Sequence, residues 1–302
     1  MTIRPRIFPV LFCALSSLGA SYRTANFIVE APTDEIAKQV GEIAETCRRD
    51  KAKLWLGYEM LDWSEPCWIS VTVTKGSCSG STSFQFDKGT LLGQRMHVEG
   101  SLERILDNVV PHEVAHTVVA HYFRRPVPRW ADEGIAVLSE GVREQTRHDR
   151  LLQAMLKTAG RTFPLKRLFS LTEFPSDRLV LYTQGQSVAS FLVEAKDRKT
   201  FLAFVKQGMG DGWDKACQAH YNYETTVELE QAWLEHTKER LKKCEQEENM
   251  ARGAHAPGDV RQDKFSALIR ALQDRDVAAR REAMRSVGLI FLVSGRHSGS
   301  AP

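Results

Sequence analysis

The pattern of hydrophobic and polar residues in the first third of the chain predicts a small β-sheet and one long helix. Residues 27–29 form an apolar run typical of a strand, and residues 66–74 alternate in polarity and are rich in β-branched side chains, which predicts another strand. Between them, apolar side chains recur at helical spacing from residue 36 to residue 56. This spacing predicts a helix whose N-cap is Thr33 or Asp34.

Shorter patterns extend the predicted sheet and lead into a second helix. Residues 76–83 are rich in glycine and serine and predict a loop, whereas residues 84–86 and 95–99 predict short strands. A helical core face then leads into an apolar run at 109–119. Pro111 must either begin a fresh helix in its first turn or kink a continuous one, because proline has no amide donor.

The second half of the chain is helical in pattern. Helices are predicted from about residue 130 and over 151–156, 182–208, 213–221 and 227–241, with a loop-like segment at 163–175. From residue 245 the composition turns polar, so residues 246–302 are predicted to be a linker followed by a short helical or partly disordered segment. We therefore expect an α+β, helix-rich fold with a small N-terminal β-sheet and a helical C-terminal half.

Composition and charge argue against two classes of protein. The chain has 302 residues, of which 42% are hydrophobic and 26% charged, and it can form one sizeable domain or two small ones. Its formal net charge of +3 is nearly balanced and no aromatic-basic stripe occurs, so nucleic acid is not expected as a partner. No apolar run approaches the roughly 18 residues of a transmembrane span. The sequence carries no signal for an oligomeric state.

The N-terminus has the residue order of a secretory signal peptide. Arg4 and Arg6 precede an apolar stretch at 7–15, and small residues follow at 16–21. This order predicts a signal peptide at residues 1–20, and therefore an exported protein, periplasmic or secreted. The alternative is a buried N-terminal strand or helix.

The cysteines do not form a complete disulfide framework in this prediction. Of the six cysteines, Cys13 lies within the predicted signal peptide, and the odd number that remains cannot pair fully within one chain. Free buried thiols are therefore the expectation. Cys67 and Cys78 flank a predicted strand, and they could form a disulfide in an oxidising compartment.

The apolar run at 109–119 contains the motif His-Glu-x-x-His. His112 and His116 are one helical turn apart and would direct both imidazoles to one point, while Glu113 could reach a water at that point. Two neutral nitrogens, a third protein ligand and a general base are the groups that a zinc hydrolase needs. The alternative is that these three side chains make only structural hydrogen bonds.

A third ligand must come from a separate segment. Pro126 and Pro128 end the motif helix and turn the chain, so that a helix starting near Trp130 can place Glu133 against the histidines. Asp132 is the rival ligand, although it points about 100° away from Glu133 on a helix.

Two further polar residues near the motif have two interpretations each. Glu140 lies on nearly the same helix face as Glu133, and it is either a hydrogen-bond partner of a ligand histidine or a solvated surface residue. His121 is expected to pack or to lie at the surface rather than to bind a metal.

The motif and the later segment Trp130-x-x-Glu133-Gly134-x-Ala136 together resemble the gluzincins. This zincin branch includes aminopeptidase-like and thermolysin-like enzymes, and the closer resemblance is to the peptidase MA-like domains of bacterial exported proteins. The resemblance implies a zincin (thermolysin-like) catalytic domain over residues 22–245. It also implies that His112, His116 and Glu133 bind Zn²⁺ and that Glu113 is the catalytic base.

Two more features come from this resemblance. Aminopeptidase-like gluzincins carry a Tyr-x-x-Gly helix start whose tyrosine stabilises the oxyanion, and Tyr182 with Gly185 matches it. The alternative role for Tyr182 is packing at a helix N-terminus. By analogy with the family, an edge strand at 96–99 would bind the substrate backbone by strand addition.

The predicted activity is zinc-dependent hydrolysis of peptide bonds in a peptide or protein substrate. A non-catalytic module that binds a peptide or protein partner is one alternative, against which the intact Glu113 argues. An exopeptidase is the other alternative. Aminopeptidases of this family hold the substrate amine with Gly-x-Met-x-Asn, and the segment at 93–99 lacks that asparagine and spacing, although Glu99 could bind an amine.

Overall fold

The computed structural model describes residues 19–76, 78–157 and 162–253, without the side chains of 143, 244–245 and 247–253. Residues 1–18 of the predicted signal peptide and residues 254–302 of the predicted C-terminal segment lie outside the described residues. The first described strand begins at Ala20, so the end of the predicted signal peptide coincides with the start of that strand.

One mixed sheet forms the N-terminal layer of the described residues. Its five strands follow the order β1-β2-β3-β5-β4, in which β2, β3 and β5 are parallel to one another and β1 and β4 are antiparallel edge strands. The bounds are β1 (Ala20–Arg23), β2 (Phe27–Ala31), β3 (Cys67–Val73), β4 (Ser79–Asp87) and β5 (Thr90–Gly100). The segment at 76–83, predicted as a loop, instead begins β4 at Ser79, because Gly80 and Thr82 pair with β5.

The prediction of an edge strand at 96–99 is wrong. Met96 of β5 lies opposite Ile69 on β3 and opposite Thr82 on β4, so β5 is paired on both sides. β4 and β5 form a hairpin through Lys88 and Gly89, both with positive φ, and the second strand of the hairpin inserts next to β3. The sheet edge near the motif is therefore β4.

Helix α1 (Asp34–Leu56) packs on one face of the sheet as the sequence predicts. The Thr33 hydroxyl accepts a hydrogen bond from the Ile36 amide at the N-cap, and Gly57 ends the helix with a φ of 79°. Buried side chains of α1, the sheet and the motif helix form the first of two cores, which includes Phe27, Val40, Ile69, Val98 and Val114.

The motif helix continues without a break from the segment before it. Helix α2 (Leu102–Arg104) is followed by one π-helical turn (Ile105–Val109) and by α3 (Val110–Phe123). The Val110 amide bonds to the Ile105 carbonyl, five residues back, as in a π-helix. A proline inside an α-helix would lose a hydrogen bond and clash with a carbonyl one turn earlier, and the wider turn accommodates Pro111. The helix is therefore continuous.

Seven further helices complete the described fold. They are α4 (Arg129–Leu138), α5 (Val142–Leu156), α6 (Leu165–Phe169), α7 (Arg178–Ala195), α8 (Arg198–Asp211), α9 (Trp213–Tyr221) and α10 (Thr226–Gly253). Helix α6 lies in the segment predicted as loop-like, and α10 extends past the predicted boundary at residue 245. The second core, around Trp130, Phe169, Phe201 and Phe204, lies among these helices. No helix in the described part of the chain is both long and apolar enough to cross a membrane.

The cysteines with described side chains are free thiols. Cys47, Cys67, Cys78 and Cys217 are all buried and unbridged, so the possible disulfide between Cys67 and Cys78 is not formed in this structure. Burial raises the pKa of Cys67 to about 12, with a smaller contribution from the negative charge of Glu113. Free buried thiols were the expectation, and the structure agrees with it.

Candidate metal centre

Helix α3 holds the motif side chains inside the protein. Residues 110–120 of this helix are all buried, because the sheet covers one side of the helix and α4 lies on another. His112 and Glu113 are 0% exposed and His116 is 2% exposed. The two imidazole rings lie with their centroids 5.0 Å apart, as the spacing of one helical turn predicts.

Glu133 on α4 reaches the point between the two histidines. Its Oε2 lies 3.5 Å from His112 Nε2 and 3.7 Å from His116 Nε2, and its side chain is 0% exposed. One ligand atom from each of the three residues lies within 4.8 Å of the others. His112, His116 and Glu133 therefore form a buried cluster that could hold a metal ion, as predicted for these three residues.

The polar atoms that face this point fit a bound cation. Neither oxygen of Glu133 has a hydrogen-bond partner among the described residues, nor does Nε2 of His116, although all three atoms are buried. A buried polar group without a partner costs about 1–3 kcal/mol, and a buried charge costs more. A divalent ion would satisfy these atoms, and two imidazole nitrogens with one carboxylate are an established zinc ligand set that leaves a coordination position open.

The outer nitrogen of each histidine is held by a second carboxylate. Nδ1 of His112 lies 2.5 Å from Glu140 Oε1, and Nδ1 of His116 lies 2.9 Å from Asp132 Oδ1. An ionised carboxylate only accepts hydrogen bonds, so each Nδ1 donates its proton. In the neutral tautomer, the lone pair of each Nε2 then faces Glu133, which is the form that binds a metal.

Asp132 is therefore not the third ligand but the partner of His116. Its other oxygen, Oδ2, lies 3.8 Å from Nη1 of Arg129 on the same helix, and this cation is 4.5 Å above the Phe174 ring. Neighbouring positions on α4 point in different directions, and this places Asp132 behind the imidazole and Glu133 in front of it.

Glu140 makes the hydrogen bond to a ligand histidine that the sequence left as one of two interpretations. The turn that carries Glu140 is tied to α1: the Trp55 indole donates to Ser139 Oγ at 2.9 Å, and Lys51 Nζ donates to the Ser139 carbonyl. The Gln145 side chain also donates to the Glu140 carbonyl at 2.9 Å. These contacts fix the turn, so Glu140 can reach His112.

Glu113 has one carboxylate oxygen held by a hydrogen bond and the other without a hydrogen-bond partner among the described residues. Oε2 accepts a hydrogen bond from Thr82 Oγ1 on β4 at 2.5 Å, whereas Oε1 has no partner among the described residues. A Cβ at Gly80 would overlap Glu113 Oε1 and Val109, so glycine lets β4 approach the motif. Burial raises the pKa of Glu113 above its ordinary value, although the nearby histidines and Thr82 act in the opposite direction.

Tyr182 on α7 is buried near enough to Glu133 and Glu113 for their charges to act on it. Its side chain is 2% exposed, and its ring stacks at 6.4 Å on Phe174. Burial raises the pKa of Tyr182 well above its ordinary value, and the negative charges of Glu133 and Glu113 raise it further. The hydroxyl is therefore protonated over the range in which proteins are stable.

Two glycines allow α7 to lie this close to α4. A Cβ at Gly134 would lie 2.7 Å from the Gly185 carbonyl oxygen, and a Cβ at Gly185 would lie 2.8 Å from the Trp130 carbonyl oxygen. Because neither glycine has a Cβ, the backbones of the two helices can approach closely at this point.

The charges around the site favour a cation at its centre. Burial alone lowers the pKa of His112, but the nearby carboxylates of Glu133 and Glu140 raise it well above the ordinary value. For His116, burial again lowers the pKa, but the negative charges of Asp132 and Glu133 together outweigh burial, so the pKa is raised overall. The carboxylates thus create a negative potential at the two imidazoles, which a divalent ion would neutralise.

His121 belongs to the core and not to the metal centre. Its ring stacks on Trp63 at 4.5 Å with an angle of 8° between the planes, and Nε2 lies 3.1 Å from Gln94 Oε1. Burial, with Arg124 and Arg48 nearby, lowers its pKa to about 4, so the ring is neutral near pH 7. The sequence left packing and a surface position open for His121, and the structure shows packing.

Two site residues were missed by sequence reasoning. Thr82 and Gly80, which contact Glu113, lie in the glycine- and serine-rich run that was predicted as a loop. Their signal was the continuation of this polar run into the predicted strand at 84–86.

Comparisons with protein-family models, with curated proteins and with solved structures found no match to this chain. The interpretation of the site therefore depends on its own geometry and chemistry.

Proposed function

We propose that this chain is a zinc-dependent peptidase of the gluzincin type, related to the peptidase MA-like domains. The observation that carries the proposal is the convergence of His112, His116 and Glu133 on one buried point, with the buried carboxylate of Glu113 on the same helix as the two histidines. A site that only binds zinc for structure has four protein ligands and no use for a carboxylate base. Three ligands and an adjacent base are the arrangement of a hydrolytic site.

Glu113 is the general base in this proposal. Thr82 holds one carboxylate oxygen, so the free oxygen Oε1 can take a proton from the attacking water and later give it to the leaving amine. Zinc, when bound, supplies Lewis-acid chemistry that lowers the pKa of a water and polarises a carbonyl.

Tyr182 is the proposed oxyanion donor. Its pKa is raised, so the phenol keeps its proton and can donate a hydrogen bond to the carbonyl oxygen as negative charge develops there. Tyr182 lies on α7 and Glu113 lies on α3, so the proposed donor and the proposed base come from two different elements. Asp132 and Glu140 keep the two imidazoles oriented throughout the reaction.

Strand β4 is the proposed binding site for the substrate backbone, in place of residues 96–99. Among the described residues β4 is hydrogen-bonded only to β5, so its other edge has free amides and carbonyls. Thr82 links this strand directly to Glu113. An extended peptide that adds to β4 would therefore pass beside the base.

A digest of a mixed peptide pool, read by mass spectrometry, tests the proposal. The purified protein is compared with Glu113→Gln, with Glu103→Gln as a matched control on the exposed face of α2, and with a chelator-treated sample. We expect chelator-sensitive cuts by the wild type and by Glu103→Gln, and none by Glu113→Gln with its zinc content unchanged. The cut positions separate internal from terminal cleavage.

The result against this function is equally clear. If wild type and Glu113→Gln leave the same uncut pool while both bind zinc, the chain does not hydrolyse peptides. A non-catalytic module that binds a peptide or protein then becomes the better description. Cuts that persist in Glu113→Gln would instead overturn the assignment of the base.

A further inference from the structure

An aromatic pair lies on the edge strand next to the metal centre. Phe84 and Phe86 are both partly exposed, and their rings contact each other at 5.4 Å with an angle of 77° between the planes. Within the described residues, neither ring belongs to the two large cores of the fold. Packing in a hydrophobic core therefore does not explain why two phenylalanines lie at these positions.

The two rings lie on the same face of β4 as Thr82. Side chains alternate along a strand, so Thr82, Phe84 and Phe86 point to one side. The sheet register shifts between Ser83, which pairs with Arg95, and Gln85, which pairs with Leu92. Two residue steps along β4 therefore correspond to three along β5, so the extra residue of this bulge lies on β5. The alternation of side chains along β4 is intact.

Cross-strand neighbours indicate the same side. Leu91 lies directly opposite Phe86 on β5 and is buried, and Met96, which lies opposite Thr82, is also buried. Directly opposed residues share a face of the sheet. The two phenylalanines therefore lie on the side of β4 that faces α3.

β4 carries these rings along α3, away from Glu113. Thr82 contacts Glu113 near the start of α3, and a Cβ at Gly89, in the hairpin turn after β4, would lie 3.9 Å from Arg124, which ends α3. Phe84 and Phe86 lie between these two contacts. They are thus next to the path of any extended chain that adds to the free edge of β4.

We infer that Phe84 and Phe86 select polypeptides with large apolar side chains at two alternate positions beside the cleaved bond. An added strand places every second side chain on the α3-facing side, where the two rings are partly exposed and apolar. Aromatic rings favour aromatic and aliphatic cross-strand neighbours over small polar ones. This inference rests on the proposed function, which it extends by naming a substrate class.

The polar residue between the two phenylalanines provides an internal control. Gln85 is exposed and lies on the opposite face of β4, so it would contact the same added backbone but not the same side chains. A substitution there changes the strand without changing the apolar face.

Binding and cleavage of two matched peptides test the inference. One peptide carries leucine or phenylalanine at two alternate positions, and the other carries serine at both. Dissociation constants are measured on Glu113→Gln, which is expected to bind without cleaving, and kcat/KM is measured on the active protein. Phe84→Ala, Phe86→Ala, Phe84→Leu and Gln85→Ala are compared in both backgrounds.

We expect wild type to prefer the apolar peptide, and each alanine variant to reduce that preference up to about fivefold. Phe84→Leu, which keeps an apolar side chain, and Gln85→Ala are expected to retain most of it. Equal binding of both peptides by wild type, or an unchanged preference in the alanine variants, would overturn the inference. So would a dimer that the alanine variants dissociate, because β4 would then pair with a second copy.

The two proposals fail in different ways. Binding preference without any cleavage would leave the role of Phe84 and Phe86 in place and remove the peptidase activity. Cleavage of both peptides at equal kcat/KM would do the opposite.

Discussion

The two sides of the metal centre are built in different ways. On one side, α3 supplies His112, Glu113 and His116 from a little more than one helical turn, so the local sequence determines their arrangement. On the other side, Glu133 lies on α4 and Tyr182 on α7, and these two helices approach closely because Gly134 and Gly185 have no Cβ. A motif can therefore specify half of a site, while the other half depends on how closely two distant helices approach.

The first test of this comparison removes the group on α7 that is proposed to act in catalysis, the Tyr182 hydroxyl. Tyr182→Phe deletes one hydroxyl and keeps the ring that stacks on Phe174. If Tyr182 donates to the oxyanion, kcat falls by about 10²–10³-fold while zinc content and KM change little. Steady-state kinetics with metal analysis of the same samples measure all three quantities.

A different outcome would assign Tyr182 to packing. An unchanged kcat in Tyr182→Phe means that the hydroxyl takes no part in the reaction. Loss of zinc from this variant would mean that α7 acts on the ligands and not on the substrate.

The second test concerns Asp132 and Glu140, the two carboxylates that are hydrogen-bonded to the histidines of α3. Asp132→Asn and Glu140→Gln each keep a side-chain oxygen next to a histidine Nδ1 and remove the charge. Loss of such a partner weakens metal binding by about 10–100-fold. Competition with a zinc-binding dye gives the affinities, and Glu103→Gln is the exposed control.

The comparison predicts a difference between these two variants. Asp132 also lies 3.8 Å from Arg129 on its own helix, so its replacement removes a second charge interaction, whereas the turn of Glu140 is held by Trp55 and Lys51. We therefore expect Asp132→Asn to lower the free energy of unfolding more than Glu140→Gln does. The reverse order would contradict this account of how the two histidines are supported.

The same contrast explains how much could be predicted from sequence. The α3 side chains follow from helical spacing, whereas the proline-directed turn before α4 left Asp132 and Glu133 as rivals, and only the resemblance to the gluzincins favoured Glu133. The role of Glu140 stayed open because it depends on contacts from α1, which is far away in the chain. The edge strand was assigned to 96–99 because the order of strands in a sheet does not follow their order in the chain when a hairpin inserts its second strand.

Local patterns also failed where a glycine or a proline had a tertiary role. The glycine- and serine-rich run looked like a loop, yet Gly80 is needed inside β4 because Glu113 occupies the space of a Cβ. Pro111 allowed two interpretations, and the π-helical turn before it makes the helix continuous. In both cases the deciding contact or hydrogen bond cannot be read from periodicity.

The smallest expected effect is the most direct test of the contact between α4 and α7. Gly185→Ala places a Cβ 2.8 Å from the Trp130 carbonyl oxygen, so the helices must separate, and overpacking of this kind costs about 1–3 kcal/mol. Gly210→Ala on α8 is the matched control, because its Cβ would meet nothing within 4 Å, and alanine there is expected to add up to about 1 kcal/mol to the free energy of unfolding through helix propensity.

Urea unfolding, with and without chelator, measures the free energies of unfolding of both variants. We expect Gly185→Ala to be destabilised in both conditions and Gly210→Ala to be unchanged or more stable. If Gly185→Ala were as stable as Gly210→Ala and kept full kcat, the close approach of α4 and α7 would not be what places Tyr182 at the metal centre.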